Sequence, residues 1–325
     1  MANNNRTGSI ALGIVACALS VPSWGQPYPA KPLKMILPFP AGGPTDIVAR
    51  ALGQGLGDAL GQNVVIDNRP GGGGLIAAIL AAKSAGDGYT LFLGGVTTLS
   101  IAPSAHKNLP YDPLKDFLPV TQATRQSIML MVHPALPVRS VREFVALAKA
   151  RPGELNYASS GPGGSGHMAG ELFRLVTGVN IVHIPYKGAP PALNELIAGQ
   201  VQALFGTILA AAPHVRSGRI RAVAITGSQR TNALPEVMTF AEAGIANYDA
   251  SSWNGIAVPA GTSRAIVERL NAELTRILKS PAVADRLAQD GAVGVPTTPE
   301  EFNAFIKSEM AKWAQVVKAA NIRIE

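Results

Sequence analysis

Two glycine-rich stretches hold the residue types best suited to binding an anion. In PFPAGGPTD at 38–46, Phe39 and Ala41 lead into Gly42 and Gly43, and Thr45 or Asp46 then caps a helix. In SSGPGGSGH at 159–167 the order recurs: Ser159, Ser160 and Ser165 offer hydroxyls, Gly163 and Gly164 bare amides, and His167 closes the run. A helix start leaves main-chain N–H groups without partners and carries about half a positive charge. Each stretch can therefore hold a carboxylate without an arginine. Taken singly, each is also an ordinary strand-to-helix turn with nothing bound.

Other polar residues stand at comparable positions. GGVTTLS at 94–100 offers Thr97 and Thr98, HIPYKG at 183–188 offers Tyr186 and Lys187, and Gly206 and Thr207 follow the run QALF. The four glycines at 71–74 read as a chain reversal. A side chain at Gly43 or Gly163 is expected to fill space that backbone needs to meet a ligand.

Catalytic and cofactor patterns are incomplete. Gly161, Gly163 and Gly166 match the spacing of a dinucleotide loop, yet the acid due about 20 residues later is missing; Ile184, Pro185, Tyr186 and Lys187 stand there. No cofactor is expected. Ser165 could act as a nucleophile in GGSGH, but His167 replaces the second glycine of a nucleophile elbow. The histidines at 106, 133, 167, 183 and 214 show no metal-ligand spacing, so no metal is expected.

The elements that must position these loops alternate between strand and helix. Strands are predicted at 33–39, 64–66, 90–93, 155–158, 181–184, 203–205 and 221–225. Val48, Leu52, Leu56 and Leu60 mark one helix by recurring every fourth residue; others are predicted at 75–83, near His167, Pro191 and Ile208, and at 263–278. Such alternation predicts parallel sheets covered by helices. Extended runs at 118–122 and 128–132, a return segment at 252–258 and a helix at 299–319 imply that the chain crosses twice between units. The expected fold class is α/β, two doubly wound domains joined by a two-crossover hinge. Residues 26–124 plus 254–325 form the first domain and 125–253 the second, with a crevice between facing loops.

The beginning of the chain reads as an export signal. Arg6 precedes an apolar run at 10–21, too short for the roughly 18 residues of a membrane span, and Ser23 and Gly25 suit cleavage before Gln26. IVAC at 14–17 offers a rival lipoprotein cleavage that would leave Cys17 lipidated. Cys17 is the sole cysteine, so a chain starting at Gln26 has no disulfide or thiolate chemistry. The net charge of +7 suits anionic ligands, but the basic residues are scattered, and nucleic acid is not expected as a partner.

Several stretches occurring in the same order resemble the solute-binding receptors of tripartite tricarboxylate transporters, the Bug family. They include PFPAGGPTDIVAR, NRPGGGG, DGYTLFLG, LPYDPLKDF, LNYASSGPGGSGHMAGELF, IVHIPYKGAPPAL, ASSWNGIAVPAGT and KWAQVVKAANI. The resemblance implies a type II-like periplasmic binding protein, acting as a monomer, that delivers a small organic acid to a two-component membrane permease. It also implies that the loops at 39–46 and 159–167 hold the carboxylate, partly through bridging water. Gly206 and Thr207 depart from the Asp-Asn pair common in the family, which favours acids without an amino group; the expected ligand is a di- or tricarboxylate or an aromatic acid. The same fold would serve a receptor reporting to a membrane signalling protein, and hydrolysis through Ser165 is a third possibility.

Overall fold

The run LKMIL forms β1 (Leu33–Leu37), and its burial pattern shows only Lys34 facing water. Gly43 then starts α1 (Pro44–Leu60), which ends on Gly61 in the left-handed conformation. Val48, Leu52, Leu56 and Leu60 are all buried, as their four-residue recurrence predicts. The computed structural model describes residues 28–246, 248–289 and 291–324. The expected export signal at 1–25, with Cys17, lies outside them.

The first sheet continues with β2 (Val64–Asn68), α2 (Leu75–Ala82), β3 (Thr90–Gly95), α3 (Ala102–Ala105) and β4 (Phe117–Gln126). The chain then enters a second sheet through β5 (Ile128–Val132), α4 (Val141–Ala150), β6 (Asn156–Ser159), α5 (Ser165–Thr177) and β7 (Val182–Pro185). It goes on through α6 (Ala189–Ile197), β8 (Ala203–Thr207), α7 (Ile208–Arg216) and β9 (Arg221–Ile225). It returns to the first sheet as β10 (Ser252–Pro259), followed by α8 (Arg264–Leu278), α9 (Pro281–Gln289), β11 (Ala292–Gly294) and α10 (Pro299–Ala319).

The six-stranded sheet has the order β11-β4-β10-β3-β1-β2 and the five-stranded sheet β7-β6-β8-β5-β9. Neither is wholly parallel, which corrects the expectation from the strand–helix alternation. β10 runs antiparallel to β3 and β4, and β5 runs antiparallel to β8 and β9. These are the strands by which the chain enters a sheet from the other one, with no βαβ crossover to impose a parallel direction.

Apolar packing follows this layout. One core cluster covers the outer face of the first sheet around Met35, Leu52 and Leu270, and another covers the second around Met129, Leu196 and Ile220. A third runs through both sheets, joining Phe92 and Phe117 to Phe173, Phe205, Trp253 and Trp313. α10 belongs to it. Thr298 and Glu301 form a capping box at its start, and the helix packs on β4, α3 and α5.

Candidate functional site

A cavity of about 430 Å³ lies between the two sheets, with walls from both. Four helices begin on it. The residues that open them, Gly43 for α1, Gly164 for α5, Gly188 for α6 and Thr207 for α7, all line the cavity, and none makes a side-chain capping hydrogen bond. By contrast α4, α8 and α10 are capped by Ser140, Ser263 and Thr298, which do not line it. The uncapped starts of α1, α5 and α7 leave N–H groups and positive helix ends at one space, while α6, with Pro190 and Pro191 in its first turn, adds its positive end and few donors. Lys187 is the only charged side chain among the described residues of the wall.

From the first domain the wall takes Phe39, Ala41, Gly42, Gly43 and Thr45 after β1, and Thr97 and Thr98 after β3. From the second it takes Ser160, Gly164 and Ser165, then Lys187, then Gly206 and Thr207. These sequence-predicted residues therefore come together. Five others stand outside the wall: Asp46, Ser159, Gly163, His167 and Tyr186.

Asp46 is buried beneath the first turn and does not cap α1. One carboxylate oxygen accepts from Gly42 N at 2.9 Å and from Arg50 Nε at 2.8 Å, and the other accepts from Asn68 Nδ2 at 3.0 Å. Burial pushes its pKa up, but these donors outweigh it and hold the carboxyl below its ordinary range. Three residues past the helix-opening glycine, it reaches back to brace the turn. Its charge is satisfied there.

The second turn is braced by histidines. Gly163 N donates to His167 Nδ1 at 3.0 Å, so that amide is not free for a ligand. Ser159 Oγ lies 2.7 Å from His183 Nε2 and also accepts from Gly161 N at 3.2 Å. Tyr186 N donates to Ser159 O at 3.1 Å, a backbone contact that ties the next strand to the turn. Burial lowers the pKa of both histidines, that of His183 to about 3. Ser165, which does line the cavity, has no histidine partner among the recorded hydrogen bonds of the described residues.

Sequence reading missed part of the wall. Gln126, Met131, Leu204, Trp253 and Asn254 line the cavity from strands, where they look like core positions. Gly188, Ala189 and Pro190 also line it. Their Gly-Ala-Pro-Pro pattern, with prolines early in a helix, agrees with the helix predicted near Pro191; that this start faces the cavity is what the sequence did not show. Trp253 is fixed from behind, donating from Nε1 to Glu309 Oε2 at 2.9 Å. Among the described residues no cluster of three or more His, Cys, Asp or Glu side chains could hold a metal.

Two α/β domains joined by two crossovers, with an anion-suited cavity between them, define a two-domain periplasmic-type solute-binding protein. The chain belongs to the tripartite tricarboxylate transporter family receptors, whose family profile matches residues 48–322. It is 39% identical over 317 residues to the BugT protein of Bordetella pertussis, covering 97% of each chain. Among solved structures it is similar to a Rhodopseudomonas palustris protein with adipate, at 36% identity and a TM-score of 0.85, covering 91% of this chain and 99% of that one. It is likewise similar to MatC of the same organism with bound malate, at 33% identity and a TM-score of 0.81, covering 89% and 100%.

Proposed function

We propose that the protein is an extracytoplasmic receptor that captures a small carboxylate between its two domains and delivers it to the membrane components of a tripartite transporter. The observation that carries this is the meeting of four uncapped helix starts and Lys187 on one cavity with no acidic side chain in its described wall. Such a site neutralises a carboxylate largely through main chain, which favours reversible binding over conversion. The adipate and malate held by similar structures support the ligand class, and the family's description supports the transporter. Among the described residues no helix is long and apolar enough to cross a membrane.

The two crossovers act as a hinge, and a ligand touching both domains favours the closed form. A thermal-shift screen against organic acids tests the reading, because a ligand of the folded state raises the melting temperature by mass action. The expected result is a rise with one group of carboxylates, a smaller radius of gyration when saturated, and the acid recovered unchanged. No shift with any acid, or consumption of the acid, overturns it.

A further inference from the structure

Gln126 is the last residue of β4, paired in register with Ser252 of β10 and Ala292 of β11. One residue later the chain leaves for the second sheet, so Gln126 sits at the first crossover. Gln126 is one of the residues lining the cavity, although it is only 5% exposed. The Nε2 is enclosed and has no hydrogen-bond partner. Buried amides in folded proteins are ordinarily paired, and an unpaired one is destabilising. Neighbouring buried polar groups show the contrast: Asn254 on the adjacent strand donates to Thr124 Oγ1, and Thr98 bonds to Gly95.

The rest of the wall narrows what could satisfy that amide. Met131 and Leu204 are register partners on β5 and β8, and Leu193 and Ala211 add apolar surface from α6 and α7. Lys187 and the helix starts suit carboxylate, and the apolar side chains suit a hydrocarbon body. A second carboxylate away from the helix ends would be buried without a charged partner, which is costly. A neutral hydroxyl or carbonyl can instead pair with the amide, whose terminal torsion is soft enough to turn either its N–H₂ or its C=O toward the cavity.

Resting on the carboxylate-receptor reading above, we propose that Gln126 is a specificity-determining ligand contact, and that the preferred ligand is an apolar-bodied monocarboxylate bearing a neutral hydroxyl or carbonyl group. The unpaired amide at the crossover then also links ligand recognition to the hinge.

Calorimetry on the full chain tests this with matched probes: benzoate against 3-hydroxybenzoate and 4-hydroxybenzoate, and pentanoate against 4-oxopentanoate, with adipate and malate as dicarboxylates. The expected result is that at least one substituted acid binds about tenfold more tightly than its parent, the size of one recovered buried hydrogen bond. Gln126→Met, of similar length, should erase that difference and leave the parent acid within about twofold, because apolar contact is retained. If that variant does not fold, Gln126→Asn keeps the amide but shortens its reach, and the same loss of discrimination is expected. Tightest binding of adipate or malate overturns the inference alone. So does equal weakening of parent and substituted acid in the variant. Absence of heat with every acid overturns the carboxylate reading and this inference together.

Discussion

The imidazoles of His167 and His183 stack with centroids 3.9 Å apart and planes 16° from parallel. Both brace the second turn, through Gly163 N and Ser159 Oγ respectively. His167 can accept from Gly163 only if its Nδ1 is unprotonated, and two stacked rings cannot both carry charge cheaply.

A pH dependence of stability follows. Burial, followed by the neighbouring His167, pushes the His183 pKa from 6.5 down to about 3. The folded chain keeps this ring neutral where an unfolded chain protonates it, so the stabilisation is complete above about pH 6.5 and is lost as pH falls toward 3. The slope attributable to one such ring is at most about 1.4 kcal/mol per pH unit. Urea midpoints between pH 7.5 and 4.5 should therefore fall with acidification, and His183→Gln should flatten the curve. Identical curves for both proteins would show that His183 does not contribute.

Asp46 makes a different prediction from a ligand-contacting acid. Its buried carboxylate joins Gly42, Arg50 and Asn68 under the first turn, so Asp46→Ala removes the acceptor shared by three donors that water can reach, at a cost of about 1 kcal/mol. Ligand affinity should weaken with it, because Gly42 and Gly43 lose their brace. Arg50 is exposed, and Arg50→Ala should cost less than Asp46→Ala. Denaturation and calorimetry on the two variants separate these effects. A stable Asp46→Ala protein that loses binding would mean that the carboxylate meets ligand directly.

What the sequence disclosed about this fold tracks how local each signal was. α10 was legible in full because Phe302, Ile306 and Trp313 repeat along one side, and the Thr298–Glu301 capping box that fixes its start agrees with that repeat. α4 went unread although Ser140 accepts from Glu143 N in a similar arrangement. β11 has only three residues, and its pairing of Ala292 with Gln126 joins distant parts of the chain that no periodicity connects. The two glycine-rich turns at the cavity were readable from glycine and serine spacing. Gln126, Met131 and Trp253 were not, since on a strand a cavity-facing position has the same pattern as a core-facing one. Only the pairing of strands from two sheets directs them to the site.

The glycines divide in a way that spacing alone did not show. A Cβ on Gly166 would lie 2.2 Å from Phe205 O, a backbone atom that cannot step aside without moving the end of β8. A Cβ on Gly43, at φ −81°, would meet nothing closer than Pro40 O at 3.5 Å. Gly166→Ala should therefore lose about 1–3 kcal/mol or more and abolish measurable binding, whereas Gly43→Ala should change stability by less than about 1 kcal/mol. A Cβ on Gly163, at φ 68°, would lie 2.4 Å from Ile324 Cδ1, so a side chain there disturbs the packing of the C-terminal segment before it reaches the cavity. Melting curves of the alanine variants, read beside calorimetric titrations, test this order. Equal damage at Gly43 and Gly166 would contradict it.

Glu309 couples the cavity wall to α10. Its Oε2 accepts from Trp253 Nε1 at 2.9 Å and from Trp313 Nε1 at 3.0 Å, while Oε1 pairs with Lys312. Both indoles are almost fully buried, so neither N–H has water to fall back on. Glu309→Gln keeps a neutral acceptor for the indoles and gives up the charge that pairs with Lys312, at about 1 kcal/mol. Glu309→Leu leaves two buried donors unpaired at about 1–3 kcal/mol each. The leucine variant should unfold at a lower denaturant concentration than the glutamine variant. It should also shift tryptophan emission and bind ligand more weakly, because Trp253 loses its anchor where it faces the cavity. If Glu309→Leu and Glu309→Gln unfold together, the carboxylate is not what holds the two indoles in place.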